Sequence, residues 1–202
     1  MEKVKSIKEQ FKTEIIKKLQ AELKISNALH VPKPQAGYIQ IGIGKAIIHA
    51  PENKKKLIED STWALTQITG QKPKMISAKK SVAGFKLREG QPVALLVTLR
   101  KKRLFDFLDR LLTYVLPREK DFRGLEENNF DTIGNINFGL KEIGIFPEAI
   151  SDKIKVNFGV QITVTGSGKT KDENLLLWEY LGFPIKNDAE DSKGGKRSSQ
   201  KK

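Results

Sequence analysis

Residues 70–125 read GQKPKMISAKKSVAGFKLREGQPVALLVTLRKKRLFDFLDRLLTYVLPREKDFRGL. Within this stretch Val93, Leu95, Val97 and Leu99 alternate with Ala94, Leu96, Thr98 and Arg100, the period of a strand buried on one side. Almost at once the period changes. Leu104, Phe105, Leu108, Leu111, Leu112 and Val115 recur at three- and four-residue spacing, the apolar side of a helix over 102–115 that Pro117 stops. The charges lie in the loops and at element ends: fourteen Lys or Arg against five Asp or Glu, the larger part of the chain's formal +13. An ordered framework with basic loops fits a polyanion-binding protein.

Working outward, the same two periods recur. The spacing of Val4, Ile7, Phe11, Ile15, Leu19 and Leu23 predicts a helix over 2–25, with Lys8, Lys12, Lys17 and Lys18 on its other faces. Pro32 and Pro34 break the chain. Residues 38–44 alternate as a strand, with Ile39, Ile41 and Ile43 to one side and Tyr38, Gln40, Gly42 and Gly44 to the other. A second helix starts near Pro51, carries Leu57, Ile58, Ser61, Ala64, Leu65 and Ile68 inward, and ends at Gly70. Residues 75–77 read as a short strand, and 78–92 as a long connection. Ile136, Phe138 and Leu140 mark a strand over 135–141, and Phe158, Val160, Ile162 and Val164 one over 158–165. Thr170 to Glu173 fits a capping box opening a last helix that Gly182 and Pro184 end. The fold class is therefore α+β, a mostly antiparallel sheet with helices on one face and an extended basic loop. Residues 1–186 are expected to form one RNA-binding domain, and 187–202 a disordered basic tail with nothing to bury.

At 202 residues with 38% hydrophobic content the chain can bury a real core. With no Cys, disulfides and thiolate metal sites are excluded, and His30 and His49 stand isolated. Nothing calls for a cofactor. No apolar run approaches the roughly 20 residues of a membrane helix. The charged start, MEKVKSIKEQF, has no apolar leader core, so a cytoplasmic location is expected.

Two motifs fail on inspection. Gly166-Ser167-Gly168-Lys169-Thr170 resembles the end of a phosphate-binding loop between a strand and a helix, but Thr163 stands where its first glycine belongs. A capped helix start is the better reading. Gly42-Ile43-Gly44 lacks the third glycine of a dinucleotide fingerprint. The outward strand positions are unusual for a wet sheet face: Gln40, Gly42 and Gly44; Ala94, Leu96, Thr98 and Arg100; Asn135, Asn137 and Gly139; Gln161, Thr163 and Thr165. Neutral hydrogen-bonding groups and glycines dominate, which suits sugar hydroxyls and base edges of RNA. From residues alone, a structural RNA-binding protein, a nucleotide-dependent enzyme built on GSGKT and a free-standing RNA chaperone all remain open.

The segments GQKPKMISAKKSVAGFKLREGQPVALLVTLR, LPREKDFRGL, FDTIGNINFGLKEIGIFPE and LGFPI together resemble one family, the bacterial-type large-subunit ribosomal protein five. This is the 5S-rRNA-binding protein of the central protuberance, and the likeness covers about residues 5–186 in unbroken order. The resemblance implies a structural constituent of the large ribosomal subunit, without enzyme activity. Its implied partners are 5S rRNA, large-subunit rRNA, P-site tRNA, the small-subunit head protein thirteen through an intersubunit bridge, and neighbouring 5S-associated ribosomal proteins. The implied 5S rRNA contacts fall on Gln40, Gln71, Thr98, Asn137 and Thr163. Reading the sheet face adds Gly42, Gly44, Arg100, Gly139 and Thr165. The implied tRNA loop spans 78–88, with Lys79, Lys80, Ser81, Gly84, Phe85, Lys86 and Arg88 as its working residues unless Phe85 and Leu87 fold back under the sheet. Gln40 departs from the family's usual Asn and Lys45 from its usual acid, and the TGSGKT turn and the tail from about Asp188 also depart from the family's pattern.

Overall fold

The structure, a computed structural model, describes residues 6–120, 122–149 and 158–186. The expected tail, and the first turn of the N-terminal helix with Val4, lie outside the described residues. Five strands form one sheet in the order β2-β3-β1-β5-β4, every neighbouring pair antiparallel. They are β1 (Pro34–Gly42), β2 (Lys74–Ser77), β3 (Pro92–Arg100), β4 (Ile136–Leu140) and β5 (Val160–Gly166). Ile39, Ile41, Leu95, Val97, Leu99, Ile136, Phe138, Ile162 and Val164 all point to one side and are buried in a single apolar cluster. This is the alternation that the sequence shows, now summed over four of the five strands.

Helices cover that side. α1 (Ile7–Gln10), a π-helical stretch (Phe11–Ile15) and α2 (Ile16–Glu22) run on as one rod. The rod lies against α5 (Lys101–Arg110), where the Phe11 and Phe105 rings are 5.6 Å apart and the Ile7 amide donates to Asp109 Oδ1 at 3.4 Å. α5 extends through a second π-helical stretch (Leu111–Val115), and Pro117 then sits in a 3₁₀ turn that turns the chain away. α4 (Lys54–Thr69) buries the predicted stripe except Ile58, which is half-buried, and ends at Gly70, whose φ of +63° closes the helix. α6 (Lys171–Tyr180) contributes Leu177 and Trp178 to the core.

Four details differ from the sequence reading. β1 begins at Pro34, four residues early; a proline is tolerated at a strand's first position, and the register slips between Pro34 and Ala36. The strand also stops at Gly42, and a short helix α3 (Gly44–His49) follows, so Gly44 is not on the outer face. It is buried, and a Cβ there would lie 3.2 Å from Val93 Cγ1. The glycine serves the packing of α3 on β3. Phe107, outside the predicted stripe, is buried and stacks on Phe146 at 6.3 Å, while Phe105 and Leu112 are only half-buried.

Candidate nucleic-acid interface

The sheet side opposite the helices is built in register. One row across it is Thr98–Tyr38–Thr163–Asn137, and the next is Lys74–Leu96–Gln40–Gln161–Gly139. Arg100, Ala36 and Thr165 form a row toward one end; Ile76, Ala94 and Gly42 form one toward the other. These four rows carry only two charges, Lys74 and Arg100, both at the margin. Of the predicted contacts, Gln40, Gly42, Arg100 and Gly139 are exposed, and Thr98, Asn137, Thr163 and Thr165 are half-buried. The Thr163 hydroxyl donates to Asn137 Oδ1 at 2.7 Å, which fixes the position of that amide oxygen. The Thr165 hydroxyl is engaged with the Ala36 carbonyl at 3.2 Å. Gln71 stands apart from the strands, three residues before β2, and accepts from Arg103 Nη1 at 3.1 Å. It therefore belongs to the rim at the Arg100 end, beside the exposed run Arg100, Lys101, Lys102 and Arg103. Lys101 holds φ at +53°, a left-handed conformation that costs a side-chain-bearing residue about 1 kcal/mol or more.

The β2–β3 connection leaves the sheet at the opposite end, beside Gly42. The Ala78 amide donates to the Gln91 carbonyl at 2.8 Å and Gly90 to Ala78 at 3.0 Å, so the strands continue outward as a narrow stem. The Glu89 amide donates to Ser81 Oγ at 2.9 Å, and Val82 pairs with Leu87 to close the arm. At its tip a single 3₁₀ turn (Ala83–Phe85) leaves Phe85 71% exposed, with Lys86 at φ +51°. Lys79, Lys80, Ser81, Gly84, Lys86 and Arg88 are exposed as well. Phe85 therefore does not fold back under the sheet; Leu87 is half-buried in the arm itself.

Comparison with known families decides what this arrangement belongs to. A model described as ribosomal protein L5 matches residues 27–88, and one described as the C-terminus of the same ribosomal family matches residues 92–185. The chain belongs to the ribosomal L5 family. It is thus a structural, rRNA-binding protein of the large ribosomal subunit, working in translation in the cytoplasm and not an enzyme. The join between the two family models falls in the stem of the basic arm, so the open face is assembled from both matched halves.

For this family member the GSGKT turn is structural. A phosphate-binding loop needs free backbone N–H groups. Here the Ser167 amide donates to the Lys33 carbonyl at 3.0 Å, Gly168 to Asn174 Oδ1 at 2.9 Å, and Lys169 to Glu173 Oε2 at 2.7 Å. Asn174 is fully buried and also donates to the Ile133 carbonyl at 2.7 Å. A Cβ on Gly166 or Gly168 would fall 2.1 or 2.6 Å from its Oδ1, which is why this turn needs glycines. The Thr170 hydroxyl accepts from the Glu173 amide at 3.3 Å, as the capping pattern predicts; Glu173 reaches back one residue further than expected, to Lys169.

A second local network shapes the Asn135 corner of the face. Asp131 accepts from the Ile133 and Asn135 amides at 3.0 and 2.8 Å and from Asn135 Nδ2 at 2.7 Å. Asn135 Oδ1 in turn accepts from the Gly166 amide at 3.1 Å, tying β4 to β5 beyond the last ladder pair. Burial, the largest single influence, pushes the Asp131 carboxyl up, but the donors from Asn135, Ile133 and Gly134 together outweigh it and hold the group below its ordinary value. Asp followed two residues later by a bonded amide is an Asx turn, so the FDTIGN segment carried the signal for this corner. Tyr38, central on the face, also lies outside the sequence-predicted contact set.

Proposed function

We propose that the open sheet face docks on 5S rRNA and holds it in the central protuberance, residues 1–186 acting as one RNA-binding unit with large-subunit rRNA and the neighbouring 5S-associated proteins around it. The basic arm reaches P-site tRNA, and the chain contacts the small-subunit head protein thirteen in an intersubunit bridge. The supporting observation is the face itself. It is uncharged except at its margin, and uncovered by any described helix. The contacts it offers are Gln40, Gly42, Thr98, Arg100, Asn137, Gly139, Thr163 and Thr165, with Gln71 at the rim. Short amide and hydroxyl groups of this kind bond ribose 2′-hydroxyls and base edges.

Thr98→Glu tests the reading. It sets a carboxylate in the second strand of the face, where docking would strip its water and bring phosphates near, a penalty of several kcal/mol. 5S rRNA binding in a gel shift is expected to be lost while the melting temperature stays within a few degrees of wild type. Unchanged affinity would remove the face from the interface.

A further inference from the structure

Tyr38 is the one aromatic side chain on the four rows of the open face. It sits on the central strand, with Thr98 on one side and Thr163 on the other, both shorter than itself. Its neighbour on the same face, Ala36, is only 3% exposed although no described helix covers that side. The register partners of Ala36 are Arg100 and Thr165, and Tyr38 is the next residue of β1 on the same face. Tyr38 is half-buried, so part of its side chain is open to solvent. Among the described residues its hydroxyl bonds no protein group. Arg100 is two residues beyond the cross-strand partner of Tyr38, a diagonal neighbour at about 7–8 Å. That spacing suits one nucleotide, base on the ring and phosphate on the guanidinium.

Resting on the open-face reading above, we infer that Tyr38 is a stacking platform for a single unstacked base, so the RNA held here presents a loop or bulge nucleotide rather than an uninterrupted duplex. A regular duplex keeps its bases stacked inside and offers an aromatic face nothing to lie on; an extruded base offers its whole π surface. The neutral row beside the ring, Gln40 and Gln161, then faces the edge of that base. Each carries both donor and acceptor.

The test measures binding of in vitro transcribed 5S rRNA to wild type, Tyr38→Phe, Tyr38→Leu and Thr98→Glu across a salt series. Tyr38→Phe keeps the ring and is expected to bind within about threefold of wild type. Tyr38→Leu keeps apolar bulk at this position without a π face, and is expected to weaken binding roughly 5- to 150-fold. Its loss should be the same at every salt, because no phosphate contact is removed. Melting curves that match wild type establish the fold of each variant. If Tyr38→Leu melts early, Tyr38→Met takes its place under the same expectation. Wild-type affinity for the ring-less variant, or a salt slope reduced by about one, would overturn the stacking inference. So would equal losses for Phe and Leu, which would make the hydroxyl the contact. If Thr98→Glu binds as wild type, the open-face reading itself falls. If Thr98→Glu fails and Tyr38→Leu does not, only the Tyr38 inference falls.

Discussion

The basic arm grows from β2 and β3, two of the five strands that form the open sheet face, yet arm and face share almost no chemistry. The face carries threonines, amides and glycines locked in a cross-strand register, with charge only at its margin. The arm carries Lys79, Lys80, Lys86 and Arg88 on a stem of a few backbone hydrogen bonds, with an exposed Phe85 at its tip. Groups that read sugars and base edges work only at hydrogen-bond distance, so they need a rigid support. Charges that meet phosphates act over nearly a Debye length and tolerate a mobile one. One surface is built for fit and the other for reach, which is why the proposed partners differ: 5S rRNA for the face, tRNA for the arm.

Perturbing the arm should give the largest effect that leaves the face alone. Replacing Lys79, Lys80, Lys86 and Arg88 together by Ala should speed tRNA dissociation from the P site of assembled ribosomes. Up to four phosphate contacts vanish, so the slope of log affinity against log salt should flatten by about 3, and the difference from wild type should be widest at low salt. Equal dissociation rates at every salt would take tRNA away from the arm.

Perturbing the corner of the face should give an intermediate effect. Asp131→Ala removes the acceptor for two amides and the Asn135 side chain, and is expected to cost about 1–3 kcal/mol of stability. The wild-type carboxyl is depressed in the folded state, so its contribution is present above the usual carboxylate range. That contribution fades as pH falls through the depressed folded value. Denaturant melts over a pH series should show the gap between wild type and variant closing in acid. A gap that stays constant with pH would mean the carboxylate form of Asp131 is not what holds the corner.

The smallest effect concerns the rim. Lys101→Gly relieves a left-handed lysine and should raise stability by up to about 1 kcal/mol, near 2–4 °C for a domain of this size. It also deletes one rim charge and should flatten the salt slope of rRNA binding by about one. A lower melting temperature would show that the lysine side chain stabilises the fold.

How much of this was legible in the sequence depends on how local each feature is. Most of the inward sets of β1, β3, β4 and β5, most of the α4 stripe and the Gly70 stop follow from period and turn chemistry within one segment, and the structure bears these out; Val93 and Ile58 are only half-buried, and Ile43 and Phe158 are buried just outside the strands. α3 did not show, because six residues are too few for a helical period. Gly44 looked outward by strand parity, but the strand had already ended. The start of β1 hid behind two prolines. The outward residues could be named one by one, yet their rows could not. That Tyr38 lies between Thr98 and Thr163 is a fact of register, set by pairing among segments up to 125 residues apart in sequence. Lys101 carries no local sign of its backbone conformation, since a lysine is not the residue expected there.

The division of labour between face and arm is tested most directly by crossing the two variants with one RNA. 5S rRNA affinity would be measured for wild type, Thr98→Glu and the four-alanine arm variant in the same gel-shift series. The expected result is lost binding for Thr98→Glu and near-wild-type binding for the arm variant. Wild-type binding by Thr98→Glu together with lost binding by the arm variant would contradict the account, and would mean that 5S rRNA is held by the arm and not by the sheet.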